Sequence, residues 1–300
     1  MKRPRRLRRE IKELLKKLME SAGISTEATT TDASPQTRVT AHLKRSRELQ
    51  GAGDVRAAVA ELEEAMRTAR ATPYKLEFQT RVELALALGE LYVSTDELEQ
   101  ARRLLKEEAE FTEKIFQIMQ ATGTTEQKRA AAGGRVQVRD RSRQVALVGE
   151  LAPEIEIKTW LTGEAATLAD LRGRVVLLEF WATWCKPCQE MFPKLKELDE
   201  KYRAQGLEVI ALTRHYFARR DTASSEAEEL ALMRSIVEKH GLDFRVGVAE
   251  SERTQDLYGA TGMPTLALVD RKGFVRYAHF GGGQDAKFEA LLAACLAEEV

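Results

Sequence analysis

The chain has 300 residues, 43% of them hydrophobic and 31% charged, with 47 basic side chains balancing 47 acidic ones, enough apolar material for about two domains. Its longest uninterrupted apolar run, Ala290 to Ala297, is eight residues, against about 18 for a membrane-spanning helix, so a transmembrane helix is excluded. Three cysteines, two of them three positions apart, cannot build a disulfide scaffold and point instead to reactive or metal-binding thiols.

Residues 1–20 carry nine Lys/Arg and three Asp/Glu, with Leu7, Ile11, Leu14, Leu15 and Leu18 at helical spacing. The pattern predicts a short basic amphipathic helix with a solvated polar face, or one that touches an anionic membrane surface. No apolar stretch of secretory length follows it, so a cytoplasmic location is expected, with the cell envelope as the alternative if the start site is misassigned. Nucleic acid is not an expected partner, because residues 146–300 carry 19 basic and 25 acidic side chains. Residues 21–35 are small and polar and read as a flexible linker that closes a first segment, 1–35.

Residues 36–121 show helical periodicity with almost no strand signal. Two stretches are alike: Gly53 to Ala65, and Leu88-Gly89-Glu90-Leu91-Tyr92 followed by Ala101 and Leu105. They resemble tetratricopeptide helical hairpins only in part, since aligning Ala58 with Ala101 gives a period of 43 residues rather than about 34. A helical-hairpin domain of this size exposes an apolar face, which is expected to cover the rest of the chain, a second copy or a client. Residues 122–145, with Ala130-Ala131-Ala132-Gly133-Gly134 and the charged run Arg139 to Arg143, read as a second linker.

From residue 146 the pattern changes. Short β-rich runs at 175–178, 207–212, 244–248 and 265–269 alternate with helical stretches at 188–204 and 226–240, and an edge strand at 274–280 and a closing helix at 287–297 follow. This predicts an α/β domain with a sheet flanked by helices. The run Arg214-His215-Tyr216-Phe217-Ala218-Arg219-Arg220 leaves the carboxyl edge of that sheet, where ligands tend to bind, so His215 reads either as a residue lining the site or as a solvated loop histidine.

The sharpest signal is Phe180-Trp181-Ala182-Thr183-Trp184-Cys185-Lys186-Pro187-Cys188, which leaves a buried strand and opens a helix. At a helix N-terminus the unpaired N–H groups and the dipole favour negative charge, so Cys185 should ionise more readily than a free thiol. Lys186 adds positive charge beside it, and Pro187 suits the first turn. Cys188 lies one turn on and away from water. This is the arrangement of a nucleophile and a resolver: Cys185 attacks a partner disulfide and Cys188 releases the reduced partner. Zinc is the competing reading of such a pair. It needs about four ligands, and neither a second CxxC nor paired histidines are present, so no metal is expected. Cys295 sits on an apolar helix face with Leu291, Leu292 and Leu296 and reads as core packing.

Residues 146–300 resemble the thioredoxin superfamily, specifically TlpA-like thiol-disulfide oxidoreductases of the AhpC/TSA and redoxin group. Besides the CxxC segment, the likeness rests on Gly149 to Pro153, Leu168 to Gly173, Gly262-Met263-Pro264-Thr265 and Leu268 to Gly273. It implies a thioredoxin-like α/β fold, a central mixed sheet flanked by helices, preceded by the all-α helical-hairpin domain. It implies a protein-disulfide reductase whose redox-active Cys185–Cys188 disulfide serves in place of a cofactor, with a disulfide-bearing protein as substrate and an upstream thiol reductant.

By the same resemblance Pro264 is the cis-proline facing the CxxC, and the backbone of Met263 offers an extended substrate a pairing edge. Trp184, Lys186, Pro187 and Thr265 complete the substrate-binding set. Glu179 occupies the place of thioredoxin's buried acid, either as the general acid/base that exchanges a proton with Cys188 or as a structural carboxyl. A thiol peroxidase is the alternative enzyme, but Leu178 and Ala182 stand where a peroxiredoxin has its Pro and Thr. A helical-repeat adaptor carrying a redox module is the alternative from another class.

Overall fold

The computed structural model describes residues 33–216, 225–281 and 286–298. The basic helix expected over 1–20, and the linker as far as residue 32, lie outside the described residues.

Five helices come first: α1 (Pro35–Gly51), α2 (Val55–Ala71), α3 (Phe78–Ser94), α4 (Leu98–Thr122) and α5 (Thr125–Leu147). Side-chain oxygens supply the missing acceptors at several of their starts. Ser34 Oγ accepts the Thr37 N–H at 3.1 Å and Asp54 Oδ1 that of Ala57 at 3.1 Å. Leu43, Leu62, Met66, Leu84, Leu88 and Leu105 form the core between them. An ion pair is buried at its rim: Arg81 donates to Glu108 from Nε at 2.7 Å and Nη2 at 2.9 Å, and its guanidinium lies 3.5 Å from the Phe111 ring centroid.

The linker expected over 122–145 is instead helix α5. Thr124 and Gln127 close a reciprocal capping box at its start. Its small residues reflect close packing: a Cβ on Gly134 would stand 2.5 Å from Phe78 Cε1 and 2.8 Å from Val82 Cγ2, both on α3. Val145 completes the helical core. The charged run faces the other half of the molecule. Arg141 Nη1 donates to the Ala278 carbonyl at 2.9 Å, Gln144 Nε2 to that of Gly259 at 2.7 Å, Arg143 Nη1 to that of Asp256 at 2.9 Å, and Thr261 Oγ1 bonds to Asp140. One helix thus belongs to both halves, and the helical half docks on the chain's own α/β domain through that helix's polar residues. Leu84, Leu88, Leu91 and Tyr92 are buried in the helical core itself.

That domain holds β1 (Ile157–Thr162), β2 (Val175–Phe180), α6 (Lys186–Tyr202), β3 (Leu207–Thr213), α7 (Glu226–His240), β4 (Arg245–Ala249), α8 (Arg253–Leu257), β5 (Thr265–Val269), β6 (Val275–Phe280) and α9 (Ala286–Ala297). The sheet order is β1-β4-β3-β2-β5-β6. The β2–β3 and β3–β4 pairs are parallel, and the rest are antiparallel. This is the expected mixed sheet flanked by helices.

All six residues of β2 are buried, as a central strand covered on both faces requires. Because side chains alternate, Val175 and Leu177 join the core under α6 with Phe192 and Leu195. Val176, Leu178 and Phe180 join the opposite core with Leu168 and Tyr258. Glu179 therefore shares the face of Val175 and Leu177, the one covered by the helix that carries the cysteines.

Candidate active site

The chain leaves β2 at Phe180 and turns into α6 within five residues, and the turn is built by its own side chains. Trp181 is fully buried, edge-on to Phe192 at 5.5 Å. Cys185 caps α6: its Sγ accepts the Cys188 N–H at 3.3 Å, and Pro187 lies in the first turn, where no donor is lost. Here a sulfur does the work usually left to Ser or Asp, and the same N–H groups that cap the helix would hold negative charge on that sulfur.

Cys185 and Cys188 are joined by a disulfide with an S–S distance of 2.04 Å. In this oxidised form Cys185 is 3% exposed and Cys188 fully buried. Cys185 thus shows little surface in the disulfide form, and the open part of the motif is Trp184, 36% exposed, with Lys186 and Pro187 beside it. Lys186 points into solvent and pairs with Glu190 at 3.5 Å.

The second wall comes from β5. Its pairing with β2 sets Thr265 opposite Phe180, so the residues before Thr265 run beside the CxxC turn, and Met263–Pro264 is a cis peptide bond. Met263 packs against the core cluster that contains both cysteines. Pro264 is buried and its carbonyl accepts the Gly281 N–H at 2.8 Å. Thr265 is buried too, and its hydroxyl donates to the Gly262 carbonyl at 2.8 Å. Its side chain shapes the loop from within and presents nothing to a ligand.

Glu179 is completely buried, and neither carboxylate oxygen has a hydrogen-bond partner among the described residues. Burial alone pushes its carboxyl well above the ordinary carboxylate range. An orphaned carboxyl thus lies on the sheet face that the redox helix covers. Cys295 is free and buried on α9, and burial raises its thiol to about 11. His215 lies between two carboxylates of α7, Nε2 3.4 Å from Glu226 and Nδ1 3.4 Å from Glu229.

One residue of the run leaving the sheet's carboxyl edge was given no role by sequence reasoning. Tyr216, three residues past β3, is buried with its ring edge-on to Trp184 at 5.7 Å and its hydroxyl 3.6 Å from Met263 Sδ. Only the partial signal of a residue leaving the sheet's carboxyl edge was there to find it.

Comparison with known proteins agrees with this geometry. The Redoxin family model matches residues 147–292. Thiol-disulfide oxidoreductase ResA of Halalkalibacterium halodurans is 30% identical over 150 residues, which cover 50% of this chain and 78% of that protein. ResA of Bacillus anthracis is 35% identical over 129 residues, 43% of this chain and 66% of its own length. A solved thiol-disulfide isomerase from Corynebacterium glutamicum is 27% identical and covers 50% of this chain and 97% of its own, with a TM-score of 0.43. The helical half lies outside the residues that the family model matches. With a cysteine pair capping a helix N-terminus and a ResA relative matched over 78% of its length, the chain belongs to the redoxin family of thioredoxin-fold thiol-disulfide oxidoreductases.

Proposed function

We propose that this protein reduces disulfides in other proteins through Cys185 and Cys188. With the pair reduced, the Cys185 thiolate, held by the α6 N-terminus, attacks one sulfur of a substrate disulfide and the other sulfur leaves as a thiolate. Cys188 then attacks Cys185 Sγ, which releases the second substrate thiolate and forms the Cys185–Cys188 disulfide. Two electrons pass from the dithiol to the substrate. Glu179, lying beneath α6, takes the proton that Cys188 must lose and returns it when an upstream thiol reductant restores the pair. Trp184 and Pro187 form one wall for the substrate chain, and the backbone of Met263 the other. Lys186 acts at the rim, by long-range charge.

The observation that carries this reading is the hydrogen bond from the Cys188 N–H to Cys185 Sγ at 3.3 Å, with Cys188 sealed behind it. Held in a reducing compartment such as the cytoplasm, the pair stays a dithiol and the protein acts as a reductant. The test is Cys188→Ser. A mixed disulfide with substrate should accumulate, and peptide mapping should place it on Cys185. A bond mapped to Cys295, or no trapped species where Cys185→Ser traps one, overturns the assignment.

A further inference from the structure

Between the two walls of the thiol site stands Tyr216. It follows β3, the parallel neighbour of β2, so it emerges at the same sheet edge as the CxxC turn. Its position is over-determined: its N–H donates to Glu229 Oε2 at 2.7 Å, and the Arg214 guanidinium lies 4.0 Å from its ring centroid. The ring meets Trp184 edge-on, with an interplanar angle of 86°. The hydroxyl meets both Gln255 and Met263.

The direction of that hydroxyl's proton follows from its neighbours. Gln255 is buried, and its Oε1 accepts from Arg214 Nε at 2.6 Å. The amide end facing Tyr216 is therefore Nε2, which donates to the hydroxyl at 2.7 Å. The hydroxyl's own proton remains for the thioether of Met263, 3.6 Å away, next to cis-Pro264. Burial, more than any other influence, raises the Tyr216 hydroxyl further above its ordinary value, so it stays a donor across the neutral range. A relay runs from Arg214 through Gln255 and Tyr216 to Met263, while the other side of Tyr216 braces Trp184.

We propose that Tyr216 is a positioning residue for extended peptide substrates: it fixes Trp184 and Met263 at the spacing at which a peptide backbone lies between them with its disulfide against Cys185. This rests on the protein-disulfide reductase reading above. Pre-organised walls act on how a chain is held and leave the sulfur chemistry alone. The effect should therefore be confined to substrates long enough to reach both walls.

The experiment mixes the reduced full-length protein with a synthetic disulfide-bridged peptide, and separately with hydroxyethyl disulfide, which has no backbone to pair. The rate is followed over a range of concentrations. Tyr216→Phe keeps the ring and loses the proton to Met263; Tyr216→Leu loses both contacts. For the peptide, half-saturation should rise about threefold in Tyr216→Phe and about tenfold in Tyr216→Leu, in keeping with one weak hydrogen bond and one aromatic pair. The maximal rate, the hydroxyethyl disulfide rate and the potential against glutathione should stay at wild-type values. Unchanged half-saturation in both variants overturns the role of Tyr216, as does an equal loss with both substrates. If wild-type protein consumes hydroxyethyl disulfide but never saturates with peptide, the reductase reading falls first and this one with it. Should Tyr216→Leu fail to fold, the Tyr216→Phe comparison alone decides.

Discussion

Arg141 on α5 donates to the carbonyl of Ala278 on β6 at 2.9 Å, so a helix of one half caps the outer edge of the other half's last strand. Edge strands present unpaired backbone groups that recruit other chains unless something covers them. The same guanidinium donates from Nη2 to Glu90 on α3 at 3.1 Å, and His279 of β6 stands 3.2 Å from that carboxylate. Burial pushes the Glu90 carboxyl up, but His279 and Arg141 outweigh it and hold the group below its ordinary value. Helix α3, helix α5 and strand β6 meet at this cluster.

Arg141→Met should therefore cost about 2 kcal/mol, the order of leaving a carbonyl and a half-buried carboxylate without their shared donor. Denaturant unfolding measures the loss. Limited proteolysis should at the same time open the Val148–Pro153 connection between the halves. If stability falls with no new cleavage there, Arg141 matters to the helical core but not to the docking.

Alkylation of the reduced protein near neutral pH should modify Cys185 first, because only its sulfur caps a helix N-terminus. Cys188 should follow. Cys295, buried and with its thiol pushed up to about 11, should react only on unfolding. Timed iodoacetamide labelling with peptide mapping gives the order. Early labelling at Cys188 would assign the attacking role to the other sulfur.

Glu179 makes a prediction about pH whose sign is fixed by burial. Its folded-state pKa lies above that of the unfolded chain. The neutral acid thus contributes its full stability below the unfolded value, near 4.5, and that contribution is lost as pH rises toward the folded value. In this window the unfolded chain ionises while the native one does not, and stability falls by about 1.4 kcal/mol per pH unit. Glu179→Gln removes the ionisation. The variant should be more stable than wild type at pH 7.5, and the gap should close toward pH 4.5 in denaturant titrations. Turnover should meanwhile slow at the Cys188 step, with its pH dependence shifted. An unchanged pH profile for that step removes Glu179 from the mechanism and leaves it a structural carboxyl.

The redox half was legible because its chemistry confines residue types to short spacings: Cys185, Pro187 and Cys188 within four residues, and Met263-Pro264 ahead of a strand. The β-rich runs at 175–178, 207–212 and 265–269 fall inside β2, β3 and β5, since strands buried on both faces read as continuous apolar runs. Helix α5 was not legible for the complementary reason. Ala-Ala-Ala-Gly-Gly and a dense charge run are also the composition of a linker, and what makes them a helix is α3 on one side and partners more than 100 residues away on the other. Tyr216 escaped likewise, because Met263 and Gln255 stand 47 and 39 residues from it. No local pattern records contacts of that kind.

The two adjacent glycines of α5 test this account of the helix with opposite signs. Both carry the usual cost of glycine inside a helix, about 0.5 to 1 kcal/mol relative to alanine. At Gly133 a Cβ meets nothing within 4 Å, and the residue is exposed. Gly133→Ala should therefore stabilise the protein by about that amount. At Gly134 the added methyl would stand 2.5 Å from the Phe78 ring and 2.8 Å from Val82, and α3 must shift to admit it. Overpacking of this kind costs about 1 to 3 kcal/mol, which outweighs the gain in helix propensity, so Gly134→Ala should be destabilising. Paired thermal unfolding of the two variants gives the signs directly. Two stabilising substitutions would mean that α5 does not press against α3, and the helix would then be a spacer between the halves instead of their common element.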